Sequence, residues 1–240
     1  MINELMDLVF PRSCAGCGAW DTCLCEACAR DLAGAWLDVS WRAPYLLHPR
    51  SSRQGLALPG DFEPIFPVLA LGEYEGVRRR AIITWKNVVS KELTRVVSRI
   101  VAIRAAELAR AVHARGDILV IPAPSRWRRR HDGRFVVGRM ARAVAEGFAA
   151  AGARAGVVDV LRSGRASGTG LRGRRRKTSE IRARQGFRGK PNCIVVDDVL
   201  ASGATLAGCA RALERTGAAV IGAVVLAAAK DPRDRKVGVT

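Results

Sequence analysis

The run Ile194-Val195-Val196-Asp197-Asp198-Val199-Leu200-Ala201-Ser202-Gly203-Ala204-Thr205 constrains this chain more than any other segment. Its first residues are apolar and β-branched, the pattern of an interior parallel strand buried on both faces. Two adjacent carboxylates and a turn of small residues follow. From about Thr205 to Thr216 the apolar spacing is helical, and Gly217 stands where a helix-ending glycine is expected. A small-residue loop between a strand end and a helix start gathers free backbone N–H groups, which together with the helix dipole suit a phosphate. Gly203 permits close approach, Ser202 and Thr205 add hydroxyls, and Asp197 and Asp198 lie where they can accept hydrogen bonds from sugar hydroxyls. Phosphate on one side and a diol on the other describe a site for a ribose 5-phosphate. The bland alternative is a strand-end Asp pair that only caps the next helix.

The twelve residues closely resemble the phosphoribosyl pyrophosphate (PRPP) signature of type I phosphoribosyltransferases: four hydrophobic residues, two acids, then a phosphate loop. That family usually carries Thr-Thr-Gly-Ala-Thr where this chain has Ala201-Ser202-Gly203-Ala204-Thr205, so Ser202 keeps a hydroxyl that Ala201 lacks. The resemblance implies that Asp197 and Asp198 hold the ribose hydroxyls and that the loop from Ala201 to Thr205 holds the 5-phosphate.

With 240 residues the chain can hold one good core and a small appendage. No stretch reaches the roughly 18 unbroken apolar residues of a membrane span. Met1 to Phe10 carries Glu4 and Asp7 and no basic residue, so it does not read as a secretory signal, and a cytoplasmic protein is expected. The net charge of +18 comes from 40 basic against 22 acidic residues, with arginine dominant. Such an excess favours polyanions, nucleic acid among them, although arginine-biased codon usage also raises it.

Five of the seven cysteines precede residue 29. Cys14-x-x-Cys17 and Cys25-x-x-Cys28 offer four thiolates for a tetrahedral Zn²⁺, with Gly16 and Gly18 easing the first turn. Cys23 is a fifth candidate. A redox Cys-x-x-Cys is the alternative, but two pairs in so short a segment favour a closed structural zinc site. Cys193 and Cys209 read as core residues.

Residues 44–67 hold five of the ten prolines and look irregular. Val68 to Leu71, Ile118 to Ile121, Val157 to Leu161 and Val220 to Ala227 read as strands; Val77 to Lys86, Leu93 to Val112 and Val136 to Ala150 read as helices. Strands alternating with helices predict a doubly wound parallel α/β sheet, with ligands at the strand carboxyl ends. Ile121-Pro122-Ala123-Pro124-Ser125 and the signature both fall there. The expected division is a zinc-ribbon-like head (1–43), a proline-rich connector or cap (44–67), a phosphoribosyltransferase-like domain (68–229) and a flexible tail (230–240).

Nearly the whole chain resembles the ComF (ComFC, GntX-like) family of competence-associated proteins. The landmarks are Leu8-Val9-Phe10-Pro11, Leu24-Cys25-x-x-Cys28, Asp31-Leu32, the Trp85-Lys86 pair, Ile121-Pro122-Ala123-Pro124 and the signature. It departs from relatives at Arg130 to Phe135 and at Arg165 to Gly170. The resemblance implies a zinc ribbon joined to a type I phosphoribosyltransferase-like domain that takes PRPP with Mg²⁺. It also implies a role beside incoming single-stranded DNA and DNA-uptake proteins. In a phosphoribosyltransferase, Ala123, Pro124 and Ser125 would face the pyrophosphate, and the loop around Arg174 to Lys177 would close over it. Asp197, Asp198 and Lys177 would then be the catalytic residues.

Two basic stretches exceed what a pyrophosphate needs. Arg126-Trp127-Arg128-Arg129-Arg130 follows the second strand, and Arg172 to Lys190 holds nine basic residues, Arg174, Arg175 and Arg176 among them. They suit a pyrophosphate clamp, a nucleic-acid groove with Trp127 stacking on a base, or a solvated surface. Two further functions fit the chain: a salvage-type phosphoribosyltransferase acting on a small nucleobase-like acceptor, and a PRPP sensor without turnover.

Overall fold

Apolar runs that end in turn-forming residues become the strands of the central sheet. The structure, a computed structural model, describes residues 13–49, 62–114, 116–124, 136–164 and 180–230. Helix α1 (Glu26–Leu32) lies in the cysteine-rich head, followed by β1 (Leu37–Asp38), β2 (Leu47–Pro49), β3 (Phe62–Pro64) and β4 (Val68–Ala70). Then come α2 (Gly76–Asn87), α3 (Lys91–Ala111), β5 (Asp117–Pro122), α4 (Val136–Ala150) and β6 (Arg154–Val157). The short β7 (Leu161–Ser163) and β8 (Ile181–Ala183) precede β9 (Asn192–Leu200), α5 (Ala204–Glu214) and β10 (Ala219–Ala228).

The central sheet has the order β1-β4-β10-β9-β5-β6. All neighbours are parallel except β1, which pairs antiparallel with β4 at the edge. The middle strands are apolar throughout because both their faces are covered: Val120, Ile121, Val195, Val196, Val225 and Leu226 are all buried. Right-handed crossovers place α3 and α4 on one face and α5 on the other, because β4→β5 and β5→β6 step one way along the sheet and β9→β10 the opposite way. The fold is therefore the expected doubly wound α/β sheet. Helices α3 and α4 touch closely at Gly147, where a Cβ would overlap the carbonyl of Ala102. Ser90 caps α3, its Oγ accepting from Leu93 N at 3.1 Å.

One stretch differs from its sequence expectation. Val157 to Leu161 is not a single strand. Strand β6 stops at Val157, where its ladder with β5 ends, and the chain turns at Val158 to Val160. It re-enters as β7, antiparallel to β8 in a separate two-stranded ribbon. Strand β8 lies inside the arginine-rich stretch, and its Ile181 is buried against Gly208 of α5.

Helix α2 lies across the carboxyl edge of the sheet. At its start, Tyr74 N donates to Ala228 O at the end of β10 (2.7 Å), and Glu75 pairs with Lys230 (2.7 Å). Its last turn reaches β9.

Candidate functional site

Strands β5 and β9 are neighbours, and the chain leaves them in opposite directions, so a crevice opens between their carboxyl ends. Open α/β sheets hold ligands at such a switch point. Pro122 lies opposite Val196 in the ladder, and Ala123 N donates to Val196 O at 2.8 Å. Ala123 and Pro124 thus sit beside Asp197 and Asp198.

Adjacent residues of a strand point to opposite faces. Asp198 faces α2, where its Oδ2 lies 2.6 Å from Lys86 Nζ; the two side chains are 14% and 20% exposed. Asp197 lies toward Cys209 of α5, and its charge helps to push that buried thiol's pKa up, after burial itself. Burial first, and the neighbouring Asp198 charge second, push Asp197 up to about 7. The N–H of Asp198, which donates to Asp197 Oδ1 at 2.9 Å, and the more distant Lys86 pull the other way. The pair is therefore a carboxylate held by a cation next to a carboxyl that binds a proton near neutrality.

The turn from β9 into α5 is Ala201-Ser202-Gly203, with Ala204 and Thr205 opening the helix. Gly203 is the residue before the helix, at φ +79°, a left-handed conformation that favours glycine. A Cβ there would also lie 2.8 Å from Ala43 Cβ, so the turn rests on the segment that joins the head to the sheet. Tyr45 N donates to Ser202 O at 3.2 Å from the same segment. Ser202 is half-buried and Thr205 exposed, which leaves their hydroxyls and the first N–H groups of α5 open to an anion.

Lys86, brought to Asp198 by the fold, is a residue that the sequence pattern alone does not single out; there it is only half of a Trp-Lys landmark. Trp85 supplies the physical reason for its placement. Its indole is buried and donates to Thr94 Oγ1 at 3.1 Å, fixing the end of α2 so that the next side chain reaches β9.

The sulfur atoms of Cys14, Cys17, Cys25 and Cys28 all lie within 4.8 Å of one another, with Cys17 and Cys25 at 3.7 Å. Tetrahedral coordination with Zn–S bonds near ~2.3 Å places sulfurs about 3.8 Å apart, so the set can hold zinc. Gly16 N and Cys25 N point at Cys14 Sγ at 3.4 and 3.3 Å. Burial opposes ionisation of Cys14, but N–H groups of Cys17, Cys25 and Gly16 outweigh it and bring its pKa down to about 6. That favours the thiolate a metal needs. Cys23 stands outside the set; burial and then the Glu92 charge raise its pKa. Cys193 and Cys209 are fully buried in the core, as expected. The four-cysteine knuckle docks on α2: Arg80 Nε donates to Gly16 O at 2.5 Å, and Arg78 binds the carbonyl of Asp31.

Ser125, Trp127, Arg128, Arg129, Arg130, Arg174, Arg175, Arg176 and Lys177 lie outside the described residues. No described helix is long and apolar enough to cross a membrane. The family model described as "Phosphoribosyl transferase domain" matches residues 132–239, which include the signature. No curated protein matches the chain. Among solved structures, that of Leishmania donovani UMP synthase is similar at 14% identity and a TM-score of 0.34. The match covers 83% of this chain and 30% of that one, so the chain spans under a third of that protein's length. Parallel sheet, family match and four-cysteine cluster together give a type I phosphoribosyltransferase fold with a head of the zinc-ribbon kind.

Proposed function

We propose that the chain binds PRPP in the crevice at the carboxyl ends of β5 and β9, and that it works in the cytoplasm in the handling of single-stranded DNA during competence. The observation that carries the PRPP reading is the meeting, at one switch point, of Asp197-Asp198, the Ala201–Thr205 turn and Ala123-Pro124. The α5 N-terminus and the Ser202 and Thr205 hydroxyls suit the 5-phosphate, the carboxylates suit the ribose hydroxyls, and the end of β5 suits the pyrophosphate. Mg²⁺ bound with PRPP would neutralise the pyrophosphate, its ligands coming mainly from substrate and water oxygens. Asp198 would orient the sugar while Lys86, 2.6 Å away, holds the carboxylate in place. The four cysteines would hold a structural Zn²⁺. The DNA part of the reading is supported by the resemblance to ComF proteins and by the charge of +18.

Calorimetry with PRPP and Mg²⁺ on the intact protein tests the site. Saturable binding that disappears in Asp198→Ala, with the melting curve retained, is the expected result. Unchanged PRPP affinity in that variant would sink the assignment. Pyrophosphate release that depends on an added nucleobase would instead favour a salvage transferase.

A further inference from the structure

We infer that the cleft between the N-terminal halves of α3 and α4 holds the phosphate backbone of a single nucleic-acid strand. This deepens the DNA part of the reading above and is independent of PRPP.

The cleft follows from how the two helices pack. They touch at Gly147 and Ala102, towards the carboxyl end of α4, and separate towards their first turns. The gap has a volume of about 470 Å³. In a parallel α/β sheet the connecting helices run opposite to the strands, so it opens on the edge where the strands end. Both helix N-termini therefore bring their positive ends to its mouth.

Charge reinforces that field. Lys91 and Arg95 lie one turn apart on α3, and Arg139 and Arg142 one turn apart on α4; all four line the cleft and are exposed. None of them forms an ion pair with another described residue. The acid of the cleft, Glu146, sits beside Gly147 at the closed end. Unpaired cations of one sign along a groove concentrate an anion.

A strand fits better than a small anion because the cations stand on two walls along the helix axes, at the spacing of a helical turn. Val88 and Val89, 52% and 69% exposed, provide an apolar rim at the mouth for bases. The volume falls within the range of small-ligand sites, room for one or two nucleotides of a passing strand and too little for a duplex. Trp85 forms one wall and Lys86, the next residue, touches Asp198, so the cleft adjoins the proposed PRPP crevice.

The test is fluorescence anisotropy of labelled oligothymidylate on the full chain over a range of salt concentrations. Each single-strand phosphate contact contributes about −0.7 to the slope of log K against log salt. Arg95→Ala/Arg139→Ala should therefore flatten the slope by about 1.4 and weaken binding roughly tenfold at moderate salt. Lys91→Gln/Arg142→Gln should do the same, and both pairs should keep the wild-type melting temperature and PRPP affinity. Arg211→Ala/Arg215→Ala, in the last turn of α5 and just after it, across the sheet, removes equal charge and should change little. Equal slopes for wild type and both cleft variants overturn the cleft; an equal loss in the α5 variant shows diffuse attraction and overturns it too. Displacement of the oligonucleotide by tripolyphosphate as readily as by unlabelled strand overturns the strand in favour of a free polyphosphate. Absence of binding by wild type overturns both the cleft and the DNA reading, while PRPP calorimetry is read separately.

Discussion

Lys86 Nζ at the end of α2 lies 2.6 Å from Asp198 Oδ2 at the end of β9, and this contact joins the helix carrying the four-cysteine head to the signature acids. Both side chains are largely shielded, so removing one partner costs more than it would at an exposed salt bridge. Lys86→Ala leaves a half-buried carboxylate without its cation beside a second carboxyl. The expected effect is a loss of about 1–3 kcal/mol in urea denaturation at neutral pH and weaker PRPP binding. Lys86→Arg should recover much of the stability and less of the affinity, because the guanidinium is broader than the ammonium. Wild-type stability and affinity in Lys86→Ala would show that the contact does no work.

Asp197 gives the fold a pH signature. Its pKa rises from 3.8 to about 7 through burial and then the charge of Asp198. Between those values the folded state holds the proton more tightly than the unfolded chain. The resulting stabilisation is complete below 3.8 and is lost as pH rises through about 7. At about 1.4 kcal/mol for each tenfold change in proton affinity, the loss is measurable. Asp197→Asn, fixed in a neutral form, should equal wild type near about pH 3 and become increasingly the more stable of the two as pH rises to about 8. Parallel stability curves for the two proteins across that range would refute the assignment.

The head should depend on its metal. Cys14 and Cys28 are buried beside Gly16, where a Cβ would lie 2.7 Å from Cys28 Sγ, so the knuckle has no slack. Elemental analysis should find one zinc per chain, and Cys14→Ser or Cys28→Ser should lose it and unfold the head at lower temperature. Because Arg78 and Arg80 tie the knuckle to α2, metal loss should also weaken the Lys86–Asp198 contact and with it PRPP affinity. Purified protein without zinc, or serine variants that melt as wild type does, would argue against this coupling.

The parts of the fold readable in the sequence are those encoded by local pattern. Ile194 to Val196 is apolar enough to force a buried strand, Gly203 marks the turn after it, and the two Cys-x-x-Cys pairs lie close in sequence and in space. The site is less legible where it joins distant segments. Nothing local to Lys86 points to Asp198; the contact depends on α2 crossing the sheet edge with Trp85 anchored beneath it. Strands β7 and β8 carry little local signal because each has three residues and β8 stands among arginines, its one clear apolar residue being Ile181 under α5. The proline-rich stretch 44–67 reads as irregular, yet its Leu46 is fully buried, and Ala43 just before it is buried too and closes the space behind Gly203.

That closure makes Gly203 the most sensitive point of the turn. Two independent penalties meet there: a left-handed backbone at φ +79° and a Cβ position 2.8 Å from Ala43 Cβ and 3.3 Å from Ala43 Cα. Backbone strain of this kind costs roughly 1–3 kcal/mol, and Ala43, itself without exposed surface, has no room to withdraw. Gly203→Ala should therefore lower stability by about that amount and shift the turn away from Tyr45 N, which now donates to Ser202 O. Replacing Ala43 with Gly in the same chain removes the 2.8 Å contact and leaves the 3.3 Å approach to the Cα of residue 43 together with the backbone term, so the double variant should recover part of the loss and not all of it. Denaturation midpoints of the three proteins measure both terms. A Gly203→Ala protein as stable as wild type would mean that the turn adopts another backbone path and that the anion site drawn from it is misplaced.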